Sequence, residues 1–201
     1  MTGGGSKRVC VMIVSKVDVL KFWLDDVGPK GWYNGAEALD EEIRRRFFET
    51  WAAASRRDLE DWSLTADGAL ALLIVLDQFP RNMFRGTALA FSSDACALSI
   101  ANRAIAQGFD METDEPQRQF FYLPHMHSES LTQQERGVRL IRERMSEQST
   151  NLLHARAHRE VIRRFGRFPF RNEALGRDAS PAEESYISEG GYGATVRSLQ
   201  S

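Results

Sequence analysis

From Ala69 to Leu76 the sequence reads ALALLIVL, with no polar or charged side chain anywhere in the run. A helix through this stretch has no face to turn toward water, so other elements must surround it. Thr65 stands before it as a cap and Pro80 behind it as a stop, which places a helix over 66–79. A helix buried all round requires amphipathic partners, and the remainder of the chain is rich in them.

Behind Ser15–Asp18, Val17, Leu20, Leu24 and Val27 recur at helical spacing until Gly28-Pro29 stop them. Leu39, Ile43, Phe47 and Trp51 form an i, i+4 stripe on a helix expected from Glu37 to Ser55. Ser92-Ser93-Asp94 open another, ended by Gly108, and Glu115 to Tyr122 is a short one broken by Pro124. Thr132-Gln133-Gln134-Glu135 reads as a capping box, Asn151 as a further cap, and Ser180-Pro181-Ala182-Glu183 as a capping box with proline in the first turn. No segment alternates as a strand would. The expectation is an all-α chain of antiparallel helix pairs stacked side by side. Residues 1–14 read as a disordered extension, 15–191 as a single helical domain and 192–201 as a loose tail.

The 26 basic and 28 acidic residues leave a formal charge of −2, which argues against nucleic acid or an anionic membrane as a partner. The apolar run above falls well short of the about 20 residues a membrane span needs. Cys10 and Cys96 make neither a disulfide framework nor a metal-type pair, so a cytoplasmic, reducing setting is expected. Neither cofactor nor metal is expected: His125 and His127 form an H-x-H pair and His154 and His158 share a helix face, but no ligating cysteine lies near them. The pattern does not specify an oligomeric state.

Certain polar residues exceed what a packed helical core needs. Phe79-Pro80-Arg81-Asn82 is echoed by Phe168-Pro169-Phe170-Arg171-Asn172, each copy at a helix end. The bland reading is a rigid corner, with arginine bonding helix-end carbonyls. The functional one has Arg81, Arg85, Arg167 and Arg171 converging on an anion, with Asp77 orienting a guanidinium from one turn earlier. His127-Ser128-Glu129 is either a helix entry or a place for a general base. Trp32-Tyr33, in a turn, is the aromatic pair suited to lining a pocket.

Together, Asp77-Gln78-Phe79-Pro80-Arg81-Asn82, Phe91, Asp94, His127-Ser128-Glu129, His158, Phe165-Gly166-Arg167-Phe168-Pro169 and Arg171-Asn172 resemble the bacterial family of domain of unknown function 924, from about Val19 to Gly190. The resemblance implies a compact fold similar to tetratricopeptide-repeat arrays and no particular activity. Two positions depart from the family pattern: Phe170 stands where a histidine is expected, and His125 where an apolar residue is expected.

The leading expectation is a helical binding protein. Its pocket would draw on Asp77, Arg81, Asn82, Arg85, Arg167, Arg171 and Asn172, with a small anionic molecule or a peptide carboxylate as ligand. The alternatives are a hydrolase-type enzyme, with His127 or His158 as general base and Glu129 beside them, and a scaffold for protein partners.

Overall fold

The computed structural model describes residues 13–147 and 149–200, and all secondary structure among them is helical. The chain opens with α1 (Lys16–Leu20), capped by Ser15, whose Oγ accepts from the Asp18 amide. It widens into a π-helical stretch, Lys21–Val27, and turns sharply at Gly28, whose φ of 63° favours a residue without a Cβ. The short α2 (Gly28–Gly31) follows, and then α3 (Glu37–Ser55), with the bounds its stripe predicts. Of the expected N-terminal extension, Val14 is already engaged: its amide donates to Thr50 Oγ1 on α3 at 2.9 Å. Residues 1–12 lie outside the described residues.

The all-apolar run forms α4 (Ala66–Leu73), capped by Thr65, and every residue from Ala69 to Leu76 is buried. It does not stop at Pro80 as the sequence suggests. Ile74–Gln78 widen into a π turn, and α5 (Phe79–Met83) continues through the proline. Pro80 has no N–H to give the carbonyl of Leu76. Ser93 Oγ donates to that oxygen instead, at 2.6 Å, and Trp51 Nε1 donates to the same hydroxyl at 3.2 Å. The helix is therefore widened and re-bonded from outside rather than ended.

Next come α6 (Asp94–Ala106), closed by a left-handed Gly108, then α7 (Leu123–Met126), α8 (Leu131–Arg144) and α9 (Asn151–Phe165). Ser130, not Thr132, precedes α8, so the expected capping box does not form there. Helices α8 and α9 fold back on each other. Asn151 reaches Met145 at their junction, and Arg159 pairs with Glu135 further out at 3.2 Å. The capping box at Ser180 does form and starts α10 (Pro181–Ser188). The expected loose tail is instead α11 (Gly191–Ser198), packed on α9. Tyr192 explains the difference, because its hydroxyl meets His154 Nδ1 at 2.8 Å and its ring lies 4.8 Å from that of His158.

The main core surrounds α4 and α5, where Phe22, Trp23, Phe47 and Phe79 are buried together. A smaller cluster of Val161, Ile162, Phe168 and Tyr186 holds the C-terminal part. His125 is fully buried on α7. Its Nδ1 meets Gln133 Oε1 at 3.0 Å, and its Nε2 has no partner among the described residues. Burial lowers its pKa from 6.5 to about 4. The unfolded chain thus takes up this proton near pH 6.5 and the folded one only near pH 4, so stability is lost as pH falls across that window and is unaffected above it. His125→Leu removes an orphaned polar atom at the cost of the hydrogen bond to Gln133. It is expected to raise stability by about 1 kcal/mol at neutral pH and more at pH 5, as read by urea unfolding at both values.

Candidate functional site

The π turn sets Asp77 in the interior, with 1 % of its surface exposed. An ionised carboxylate there requires donors. His127 Nδ1 lies 2.7 Å from Asp77 Oδ1, Arg81 Nη1 lies 3.2 Å from the same oxygen, and Gln78 Nε2 donates to Oδ2. Burial by itself would raise the Asp77 pKa. Arg81 and His127 more than reverse this, and the group titrates at about 2. An ionised Asp77 accepts only, so the His127 proton is on Nδ1 and its Nε2 carries a lone pair. No hydrogen bond among the described residues engages Nε2. Burial and the neighbouring Arg81 lower the His127 pKa against the pull of Asp77, so the ring is a neutral base at pH 7.

Asp94, the first residue of α6, gathers the two proline corners. Arg81 donates to both its oxygens, at 2.9 and 3.1 Å, and Arg171 Nη1 donates to Oδ2 at 3.3 Å. Arg171 Nη2 also donates to the His127 carbonyl at 3.0 Å, which fixes the backbone beneath the base. The Arg171 guanidinium is stacked between Phe91 and Phe168, 4.5 Å from each ring centre. Burial and the like charge of Arg81 pull its pKa down to about 10.

The two corners repeat one plan. Asn82 Nδ2 donates to Asp40 at 2.7 Å, and Arg85 grips the same carboxylate at 2.9 and 3.0 Å. Asn172 Nδ2 donates to Glu183 at 3.3 Å, and Arg167 grips that carboxylate at 2.7 and 2.8 Å. Hydrogen bonds from Arg167 and the Ser180 amide hold Glu183 far below the ordinary carboxylate range. Of the four arginines expected to converge, Arg81 and Arg171 meet, on a carboxylate of the chain itself. Arg85 and Arg167 go to separate partners, and Asn172 with Arg167 lies in the Glu183 corner, away from Asp77.

Glu129 is not beside the His127 base as a partner. It accepts from Arg177 at 3.0 and 2.9 Å and from the Phe168 amide at 2.9 Å, tying the α7–α8 turn to the second corner. Ser128 Oγ accepts from the Ser130 amide, as a helix entry would. The His158 ring stands 6.2 Å from that of His127. Its Nδ1 donates to the His154 carbonyl at 2.8 Å, and its pKa falls to about 3 through burial and the nearby His127.

A cleft of about 230 Å³ opens over this centre, lined by Trp32, Tyr33, Asn34, Gly35, Gln78, Arg81, Asn82, Arg85 and His127. Tyr33 crosses its rim to donate to Gln119 Oε1 at 2.5 Å. Larger concavities elsewhere, such as that around Lys16, Lys21, Asp25 and Asp67, are charged too, but no histidine lines them. Among the described residues no group of histidine, cysteine and carboxylate side chains could hold a metal ion, and no helix is long and apolar enough to cross a membrane. Sequence reasoning missed Asp40, Asp94 and Glu183 as site residues. Asp94 was visible in the family pattern but read as a helix opener. Asp40 carries no signal beyond its place in the first turn of α3, and Glu183 reads as part of a capping box.

A family model described as a bacterial protein of unknown function (DUF924) matches residues 19–191. A solved structure from Agrobacterium tumefaciens, the protein of unknown function ATU0120, is 40% identical with a TM-score of 0.83, covering 87% of this chain and 97% of that one. No curated protein matches the chain.

Proposed function

The chain belongs to the DUF924 family, and from that premise we propose that it is an enzyme of hydrolase type in which His127 is the general base. One observation carries this reading: a buried, strongly acidic carboxylate donates no proton but holds His127 Nδ1 at 2.7 Å, with the ring on the wall of an open cleft. Asp77 fixes the tautomer and stabilises the imidazolium that forms when Nε2 takes a proton from water. Arg171, through the His127 carbonyl, and Arg81, through Asp77, keep the pair in register. His158 is the poorer base, since a group titrating at about 3 holds a proton too weakly near neutral pH. The anion-binding reading asks the arginines for unbalanced positive charge, whereas each is already paired with a carboxylate. The folded-back pair α8–α9 supports extending the proposal to a tetratricopeptide-like stacking of helices around the cleft.

Against a panel of small esters, amides and phosphate esters, His127→Gln is expected to lower turnover of any accepted substrate by about 10²–10⁴-fold. Unchanged turnover in a folded variant would end the reading. The pH dependence has a defined sign. The acid limb of the rate should lie below pH 6.5, and Asp77→Asn should move the His127 titration lower still, because Asp77 is the group that raises it. Histidine titration by NMR reads this directly, and an upward shift would contradict the pairing.

A further inference from the structure

Three acceptors remain unspent on the cleft lining: two amide oxygens and one histidine nitrogen. Gln78 gives its amide nitrogen to Asp77 and Asn82 gives its own to Asp40. Carboxylates accept only, so both amide orientations are fixed and both amide oxygens turn away from these partners. Neither Gln78 Oε1 nor Asn82 Oδ1 receives a hydrogen bond among the described residues. Neither is a sealed, fully buried atom, whereas Asn172 Oδ1, the counterpart in the second corner, is buried without a partner. Gln78 and Asn82 both line the cleft, as does His127 with its open Nε2. Arg85, on the same lining, offers a donor. Its side chain is 54% exposed, and its Nη1 is left over after Nε and Nη2 close on Asp40. Arg81 and Arg85 are the charged groups on the lining, and behind it Asp40, Asp77 and Asp94 offset Arg81, Arg85 and Arg171, so the site as a whole carries no net charge to draw an ion.

Two amide-type acceptors beside a guanidinium donor, in a site whose arginines are already offset by carboxylates, are the complement of a neutral carboxamide. We infer that the cleft recognises a primary carboxamide group, its N–H donors on Gln78 Oε1 and Asn82 Oδ1 and its carbonyl oxygen on Arg85 Nη1. This rests on the proposal that the cleft is the functional site, and it replaces the anionic ligand expected from the arginine count with an uncharged one. Site-built acceptors reject an isostere that lacks the matching hydrogens, because they are then left unpaired. A carboxylate of the same shape adds repulsion to that loss.

The test compares propionamide with propionate on the ¹⁵N-labelled full chain, following backbone amide shifts of residues 33–36, 78–79 and 81–85. Propionamide is expected to shift these signals saturably and propionate to bind at least about tenfold more weakly, the equivalent of one hydrogen bond. Gln78→Met, which keeps the side-chain length, should weaken propionamide by a similar factor. Preferential binding of propionate overturns the ligand class, yet leaves the general-base proposal to its own turnover test. Binding of neither, or propionamide binding unaffected in Gln78→Met, overturns the inference. The wild-type comparison of the two ligands decides the matter should the variant fail to fold.

Discussion

Replacing Asp94 by alanine is expected to cost about 3–5 kcal/mol of stability, the range for a buried ion pair broken on one side. The loss is large because this carboxylate serves two guanidiniums. Arg81 keeps Asp77 after the change, but Arg171 loses the carboxylate it contacts and stays 5% exposed between two phenylalanine rings. The same change takes a negative charge from the first turn of α6, where it favours the helix dipole. Urea unfolding of Asp94→Ala beside the double variant Asp94→Ala with Arg171→Met separates these contributions. Removing the stranded cation should recover part of the loss, as coupled neighbours do. A loss below about 1 kcal/mol, the range of surface pairs, would show that the two corners are not held together here.

A loss of similar size, about 3–5 kcal/mol, is expected for Phe79→Ala. Phe79 has no exposed surface and sits among Trp23, Phe47 and Phe22, with ring centres 5.5, 4.6 and 6.2 Å away. Its removal leaves a cavity bounded by rings from the first π-helical stretch and from α3, which cannot all close on one point. Phe79→Leu, which keeps most of the volume, should cost less than about 1.5 kcal/mol. Equal losses for the two variants would mean that ring geometry, not cavity volume, sets the cost.

The helices were largely legible in the sequence because their signals are local. The stripe of α3 and the capping box of α10 are each contained within their own segment, and both elements form where the pattern places them. Pro80 and α11 were misread for the same reason. The partner of the Leu76 carbonyl comes from Ser93, and the anchor of α11 comes from histidines on α9, so neither is written in the neighbouring residues. A π turn inside an apolar run also leaves hydrophobic periodicity nearly unchanged over so short a span.

The site was legible as a list of residues rather than as an arrangement. Asp77, Arg81, His127 and Arg171 do come together, but counting arginines could not show that Asp40, Asp94 and Glu183 neutralise them. Those carboxylates lie up to 77 positions away in sequence from the arginines they hold. Glu129 and His158 were separated from the base only by their actual partners: Arg177 and the Phe168 amide for one, the His154 carbonyl for the other.

The widened turn at Ile74–Gln78 also bears on how this stretch can vary in length. Each residue of an α-helix advances the direction of its side chain by about 100°. Dropping a residue there would restore regular winding while swinging the acid, the amide or the arginine out of register with the histidine and with one another. Chain length between Ile74 and Arg81 is therefore as tightly set by the geometry as the identity of any residue within it.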